Sequence, residues 1–180
     1  MGAPAWGRSA RRTYLDVHQD WTREIRIYNG FFTALVARGT WLSPEFRVAA
    51  AEERRRVFDP TGEEHQAFVG RTTAEGTSWH EVVLGVDSPF EEANRLGAQG
   101  DDRWNLRLTA DGAELRCAEV SLVRKPTPLH RQLYPQLNLW SELWVARFEN
   151  TAPNPRELVL HVGGGYGNGE MTWRRSGVAG

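Results

Sequence analysis

Histidine titrates near neutrality and is the commonest metal ligand, and this sequence holds five: His18, His65, His80, His130 and His161. No two are spaced i, i+2 or i, i+4. His80-Glu81 begins an HExx string but lacks the second histidine, so the zincin motif is absent. A metal site would have to be composite, with His80, His130 and His161 converging from three separate segments beside an acid. Cys117 is the only cysteine, which excludes an internal disulfide and a Cys-based zinc site. No Gly-x-Ser-x-Gly elbow is present. The acids Glu63, Glu64, Glu91, Glu92, Asp101 and Asp102 stand as adjacent pairs in polar stretches, whereas glycosidase chemistry needs two carboxyls opposed at roughly 5–9 Å. The Asp101-Asp102 stretch lacks EF-hand spacing. Gly165-x-Gly167-x-Gly169 has neither the Lys-Ser/Thr nor the following helix of a phosphate loop. Gly163 to Gly169 therefore reads as a flexible loop between strands with Tyr166 at its tip, a large rigid contact surface. No catalytic residue and no cofactor follow from these patterns.

Binding chemistry is better represented. Eight tryptophans (Trp6, Trp21, Trp41, Trp79, Trp104, Trp140, Trp144 and Trp173) run along the whole chain. Each can bury on the order of 200 Å². Most are expected in the core, with one or two left as a platform for a sugar or a partner protein. The stretch Leu129–Trp140 carries His130, Arg131, Tyr134, Asn138 and Trp140 between prolines. Aromatics and Arg dominate interface hot spots, and a stiff loop loses less entropy on binding. With Tyr166 these residues form the expected recognition surface. The competing reading is that Leu133, Tyr134 and Leu137 seal the bottom of the core.

Charge and composition narrow the partners. Twenty-two basic residues stand against 23 acidic ones, a net charge of −1, which argues against nucleic acid held by bulk charge. Lys125 is the sole lysine, so the cations are arginine forks suited to bidentate pairing. No apolar run approaches the roughly 18 residues of a membrane span, and the mean hydropathy is −0.54. Met1-Gly2-Ala3-Pro4-Ala5-Trp6-Gly7 shows no apolar signal region, and Trp6 argues against myristoylation of Gly2. The sequence as it stands reads as cytoplasmic, or as periplasmic or outer-membrane associated if an export signal has been removed.

The elements that would position these residues follow from periodicity. Thr13 and Asp16 make a capping box, and Tyr14, Val17, Trp21, Ile25 and Tyr28 form a stripe, predicting a helix over 13–28 stopped by Asn29-Gly30. Residues 31–42 read as a strand. Ser43-Pro44-Glu45 opens a helix that Asp59-Pro60-Thr61-Gly62 ends. Residues 63–77 are polar and carry no clear period. A strand is expected at 78–86, then a short helix from Ser88-Pro89-Phe90-Glu91-Glu92 to Gly97. Trp104–Ala110 alternates up to Asp111-Gly112, a type I′ turn signal. That turn pairs Ala110 with Ala113, Leu108 with Leu115 and Leu106 with Cys117, so Cys117 is expected buried and inert. Arg107 then opposes Arg116, with Glu114 diagonal to relieve the repulsion. A parity change predicts a bulge near Ala118-Glu119. Thr127-Pro128 caps a turn through Leu133, and Pro135 breaks it. Strands at 140–150 and 157–162 and a short one at 171–173 complete about seven. This predicts a mainly β, single-domain chain over 1–180. Its expected architecture is an antiparallel, Ig-like β-sandwich over 31–175, with an N-terminal helix and one helical insertion at about 44–58.

The strings LHRQLYPQLNLWSELWVARFEN (129–150) and PRELVLHVGGGYGNGEMTW (155–173) resemble a family of uncharacterised proteins from high-GC bacteria, some of them predicted envelope lipoproteins. The likeness covers most of the chain and carries no activity or catalytic residue. It implies an export signal with a lipid-modified cysteine near the start. The expected function is a non-enzymatic protein-binding or self-assembling module, with a bacterial envelope complex as the setting the resemblance implies. A carbohydrate-binding module is the alternative, and a metal-dependent hydrolase using His80, His130 and His161 the second alternative.

Overall fold

The computed structural model describes residues 12–89, 95–97 and 104–175. In chain order its elements are α1 (Tyr14–Asp20), β1 (Thr22–Asn29), β2 (Phe32–Trp41), α2 (Pro44–Phe58), α3 (Gly62–Ser78), β3 (Trp79–Asp87), β4 (Leu96–Gly97), β5 (Trp104–Ala110), β6 (Ala113–Leu115), β7 (Cys117–Leu122), α4 (Pro128–Leu133), β8 (Glu142–Glu149), β9 (Glu157–Gly164) and β10 (Gly167–Arg174). The chain is mainly β. Ten strands occur among the described residues rather than about seven, and four helices rather than two. Phe90, Glu91 and Glu92 of the expected short helix, the Asp101-Asp102 pair and Trp6 lie outside the described residues.

The N-terminal helix is far shorter than 13–28. The Thr13–Asp16 capping box forms and α1 begins as expected, but it ends at Asp20. From Thr22 the chain is rich in β-branched residues, Ile25 and Ile27 alternate, and pairing with β2 prevails over the helical stripe. Asn29-Gly30 is then not a helix stop. Gly30 (φ 61°) and Phe31 form the two-residue turn that sets Asn29 opposite Phe32. In the other direction, residues 63–77 form the helix α3, capped by Thr61 and Glu64. Phe68 is its only fully buried side chain, which is why no apolar period marks it. Helix α2 has the predicted bounds, with Ser43 as cap and Pro44 in the first turn.

The first sheet has the order β1-β2-β3-β8-β7 and the second β10-β9-β5-β4, with β6 on β5. Every pair is antiparallel except β4 with β5. Asp111 and Gly112 both take positive φ (48° and 84°), and Ala110–Ala113 and Leu108–Leu115 pair as expected. The expected Leu106–Cys117 pair does not form. Strand β6 stops at Leu115, Arg116 carries the chain across, and Cys117 pairs with Phe148 of β8 in the first sheet. The predicted bulge lies just after this crossing, between Cys117 and Glu119 in the β7–β8 pairing. Arg116 thus reaches Glu149 (2.9 Å) instead of opposing Arg107, and Arg107 faces Glu114 at 3.9 Å. At the opposite margin β1 lies against β10: Arg23 Nε donates to the Thr172 carbonyl at 2.9 Å.

Leu35, Val82, Leu84 and Phe148 of the first sheet and Leu108, Leu158, Leu160, Met171 and Trp173 of the second share one core. The sheets approach closely at Gly39, where a Cβ would lie 2.5 Å from Met171 Sδ. Helices α2 and α4 cover the outer face of the first sheet, so seven consecutive residues of β3 are buried. The glycine-rich stretch is not a loop. Gly163 and Gly164 end β9, Gly165-Tyr166 turns the chain, and the last strand runs eight residues from Gly167. Gly167 (φ 139°) lies where a Cβ would come within 2.8 Å of Ile27 Cγ2, so this turn is pressed against β1.

Candidate functional site

Strand register decides which side chains share an end of the molecule. Asn29 faces Phe32, Val36 faces Asp87, Val86 faces Glu142, and Trp104 faces Gly164. The β1–β2 turn, the end of β3, the start of β8 and the β9–β10 turn therefore lie together. This end carries Phe31, fully exposed, Phe32 (70% exposed), Tyr28, Leu139 (83%) and Trp140 (86%). Single exposed apolar residues are ordinary, but five large ones share this end.

Their exposure is held in place. Asn138 Oδ1 accepts the backbone N–H of Trp140 (2.7 Å) and of Ser141 (2.9 Å), and its Nδ2 donates to Asp87 Oδ2 (3.3 Å). Arg38 Nη1 donates to the same oxygen at 3.0 Å. The Asn138 turn thus fixes the Leu139–Trp140 step with both side chains in solvent. Asp87 lies opposite Val36, and Phe32 lies four residues further along β2, roughly 13 Å at the rise of a strand.

Of the expected recognition residues, Asn138 and Trp140 belong to this end. Tyr166 is half-buried beside it, its ring 6.2 Å from that of Trp104, so it walls the core rather than projecting from a loop tip. Tyr134 is buried and stacks on Phe46 (6.2 Å), and burial pushes its hydroxyl pKa up. That corrects its assignment to a recognition surface: Leu133, Tyr134 and Leu137 seal the packing of α4 on the sheet. His130 closes the α4 capping box, its Nδ1 accepting the Thr127 N–H at 3.0 Å, and Arg131 is exposed on the same helix. Sequence reasoning missed Tyr28, Phe31, Phe32 and Leu139. The available signal was Asn29-Gly30 followed by two phenylalanines, a turn with large rings at its tip.

The histidines do not converge. His80 is buried near the far end of β3, where its Nε2 donates to the Ala152 carbonyl (3.1 Å) and its ring lies 5.9 Å from Trp41. His161 is on the outer face of the second sheet, with Nδ1 2.9 Å from Glu170 Oε1. His130 is on α4. Among the described residues no three His, Cys, Asp or Glu side chains are grouped to hold a metal ion. Cys117 is half-buried, and burial raises its thiol pKa. The depression on the outer face of the second sheet, formed by residues that include Asn105, Arg107, His161, Gly163, Asn168 and Glu170, is lined by no Trp, Tyr or Phe.

Burial lowers the pKa of His18, against the pull of its Gln136 hydrogen bond. Burial is also the first cause for His80, helped by Arg47 and opposed by the Ala152 carbonyl and Asn150. The unfolded chain, with histidines titrating near 6.5, binds protons that the folded chain refuses. Stability therefore falls as pH drops through about 6.5. The carboxylates held low by hydrogen bonds, Asp16 and Glu24, add a loss only below their ordinary values near 4. The urea midpoint is expected to fall from pH 7.5 to pH 5.5, and to fall less in His80→Gln; a midpoint flat over that range excludes buried neutral histidines.

An ionic chain runs from a buried pair beneath α2 out to the surface. Glu81 accepts from Arg47 Nη2 (2.5 Å) and Arg147 Nε (2.7 Å), and Arg147 Nη1 donates to Glu119 (3.1 Å). Arg47 also donates to the carbonyls of Leu42 (3.0 Å) and Thr72 (3.1 Å), which fastens α2 to α3 and to the sheet. These contacts leave Glu81 as a structural hub. No protein-family model matches the chain and no curated protein matches it, so the geometry of the exposed end carries the functional reading.

Proposed function

We propose that the protein is a non-enzymatic binding module that docks onto another protein through the end bearing Tyr28, Phe31, Phe32, Leu139 and Trp140. The observation behind this reading is the solvent exposure of these five large apolar side chains at one end, two of them held out by the Asn138 turn. Aromatic anchors on a pre-ordered turn are the residues that dominate interface energy. In this reading the two sheets are the layers of a β-sandwich, supported by the shared core and by the close approach of Gly39 to Met171. The resemblance of residues 129–150 and 155–173 to an uncharacterised family of high-GC bacterial proteins, some of them predicted envelope lipoproteins, supports an envelope setting, and fractionation of the native host tests it: recovery solely with cytoplasmic protein removes that part.

Photo-crosslinking from position 31 or 140 in the native host tests the docking itself. A discrete protein adduct is expected from both positions and none from Arg71, an exposed residue on α3. The double variant Phe31→Ser/Trp140→Ser is expected to weaken binding of that partner by about 1,000-fold, as loss of two hot spots of about 2 kcal/mol each would. Its melting temperature should stay within about 2 °C of wild type, because both side chains are exposed. Wild-type affinity in the double variant removes the proposal.

A further inference from the structure

Helices α2, α3 and α4 stand on the outer face of the first sheet without filling the space between them. A cavity of about 310 Å³ remains over β3 and β8. Phe46 and Ala50 of α2, Phe68 of α3, Val83 of β3 and Val145 of β8 give it apolar walls. Arg71, which is exposed, and Leu129 and His130, which are half-buried, form its rim. An apolar cavity of this order with a few placed polar groups is the usual form of a small-molecule site.

Most polar groups on the lining are already engaged. Arg47 is committed to the carbonyls of Leu42 and Thr72 and to Glu81, and Glu81 also takes Arg147. The Thr72 hydroxyl turns back to the Phe68 carbonyl (3.0 Å), and His130 Nδ1 accepts the Thr127 N–H. Glu75 lies 3.9 Å from Arg47 with 32% of its side chain exposed, and the Arg71 guanidinium lies over the Phe68 ring, 5.5 Å from its centroid.

The exception is Tyr134. Its ring stacks on Phe46 and the residue is only 7% exposed, yet its hydroxyl makes no hydrogen bond among the described residues. The hydroxyl is also not sealed off, unlike His65 Nδ1 and Asn150 Oδ1, which are buried and unpartnered among the described residues. The charges that act on it are those of Glu81, Arg47 and Glu75, and all three residues line the cavity, so the hydroxyl faces this space. A polar group buried to this degree without a partner is costly.

We propose that this cavity binds a small neutral molecule with an apolar body and one carbonyl group, of the ketone, ester or amide class, whose oxygen accepts the Tyr134 hydroxyl hydrogen. Ionised ligands are disfavoured from both sides. An anion meets Glu81 and Glu75, a cation meets Arg47 and Arg147, and each would bring a new charge beside an ion pair that is already balanced. A carbonyl needs only the one donor and leaves that pair undisturbed.

Acetophenone, α-methylstyrene and benzoate have one planar shape and carry, in turn, a carbonyl, its hydrocarbon isostere and a carboxylate. Each is titrated against the full chain by ligand-observed NMR. Acetophenone is expected to bind 1:1 with a Kd of about 1 mM or lower, within reach of a ligand of its size. Benzoate should bind about 10-fold or more weakly by comparison. Tyr134→Phe keeps the ring on Phe46 and removes only the hydroxyl. It should weaken acetophenone by about fivefold, the worth of one hydrogen bond, and leave α-methylstyrene unchanged. Its melting temperature should stay within about 2 °C of wild type. Leu129→Trp fills the cavity from its rim and should abolish binding of both neutral probes. No saturable binding of acetophenone up to about 10 mM overturns the proposal. So does acetophenone binding unchanged in Tyr134→Phe, an equal loss of both neutral probes in that variant, benzoate as tight as acetophenone, or binding that survives Leu129→Trp. Crosslinking from positions 31 and 140 is independent of these results.

Discussion

Replacing Glu81 by alanine is expected to destabilise the protein by about 3–5 kcal/mol, the cost of leaving a buried charge without its partner. Arg47 is buried, with only 8% of its side chain exposed, and Glu81 is the carboxylate that answers it at 2.5 Å. The nearest alternative, Glu75, is 3.9 Å from Arg47. Alanine also leaves Arg147 with Glu119 alone. For a chain of 180 residues the loss corresponds to a melting temperature lower by about 10 °C. The double variant Arg47→Met/Glu81→Leu should recover a large part of it, because removing both charges leaves nothing uncompensated. Thermal unfolding followed by circular dichroism at pH 7 reads both. A loss under 1 kcal/mol in Glu81→Ala would mean that water reaches the guanidinium and that the ion chain does not hold α2 in place.

Trp173→Ala is the second large effect, at about 3–5 kcal/mol for a fully buried aromatic removed from a packed core. Trp173 is wholly inaccessible, and its Nε1 donates to the Trp21 carbonyl at 2.8 Å. Trp21 in turn meets Trp41 edge-on with ring centroids 5.1 Å apart. The alanine variant would open a cavity and loosen β10 from the α1–β1 junction together. Trp173→Phe should cost less than half as much, since a ring remains and the Trp21 carbonyl still accepts from the Trp41 N–H (3.0 Å). Urea unfolding measures both, and an alanine variant within 1 kcal/mol of wild type would contradict the tight packing described for this end.

What the sequence made legible was local chemistry. Ser43-Pro44 at the head of α2, Thr127-Pro128 at the head of α4 and Asp111-Gly112 in the hairpin each satisfy their own backbone, so their neighbours in sequence sufficed. The failures came where a distant strand decided the outcome. Tyr14 to Tyr28 carries a helical stripe, yet β2 takes residues 22–29 as its partner. Cys117 alternates in step with Leu115, yet it belongs to the other sheet. Glu81 read as part of a broken metal motif, because its partners Arg47 and Arg147 lie 34 and 66 residues away. The site was divided in the same way. Trp140 and Asn138 stood out by residue type, whereas Phe31 and Phe32 were assigned to an apolar strand, and only the turn at Gly30 sets them outside.

The seam between β1 and β10 has a consequence for how the molecule reaches this state. The Trp173–Trp21 hydrogen bond spans 152 residues, and bringing such distant points together costs about 4 kcal/mol in loop-closure entropy. That ordering cost falls before the contacts which offset it exist, a pattern that places the chain among slow folders. During synthesis β1 must wait, its margin unclosed, until the ribosome has released β10.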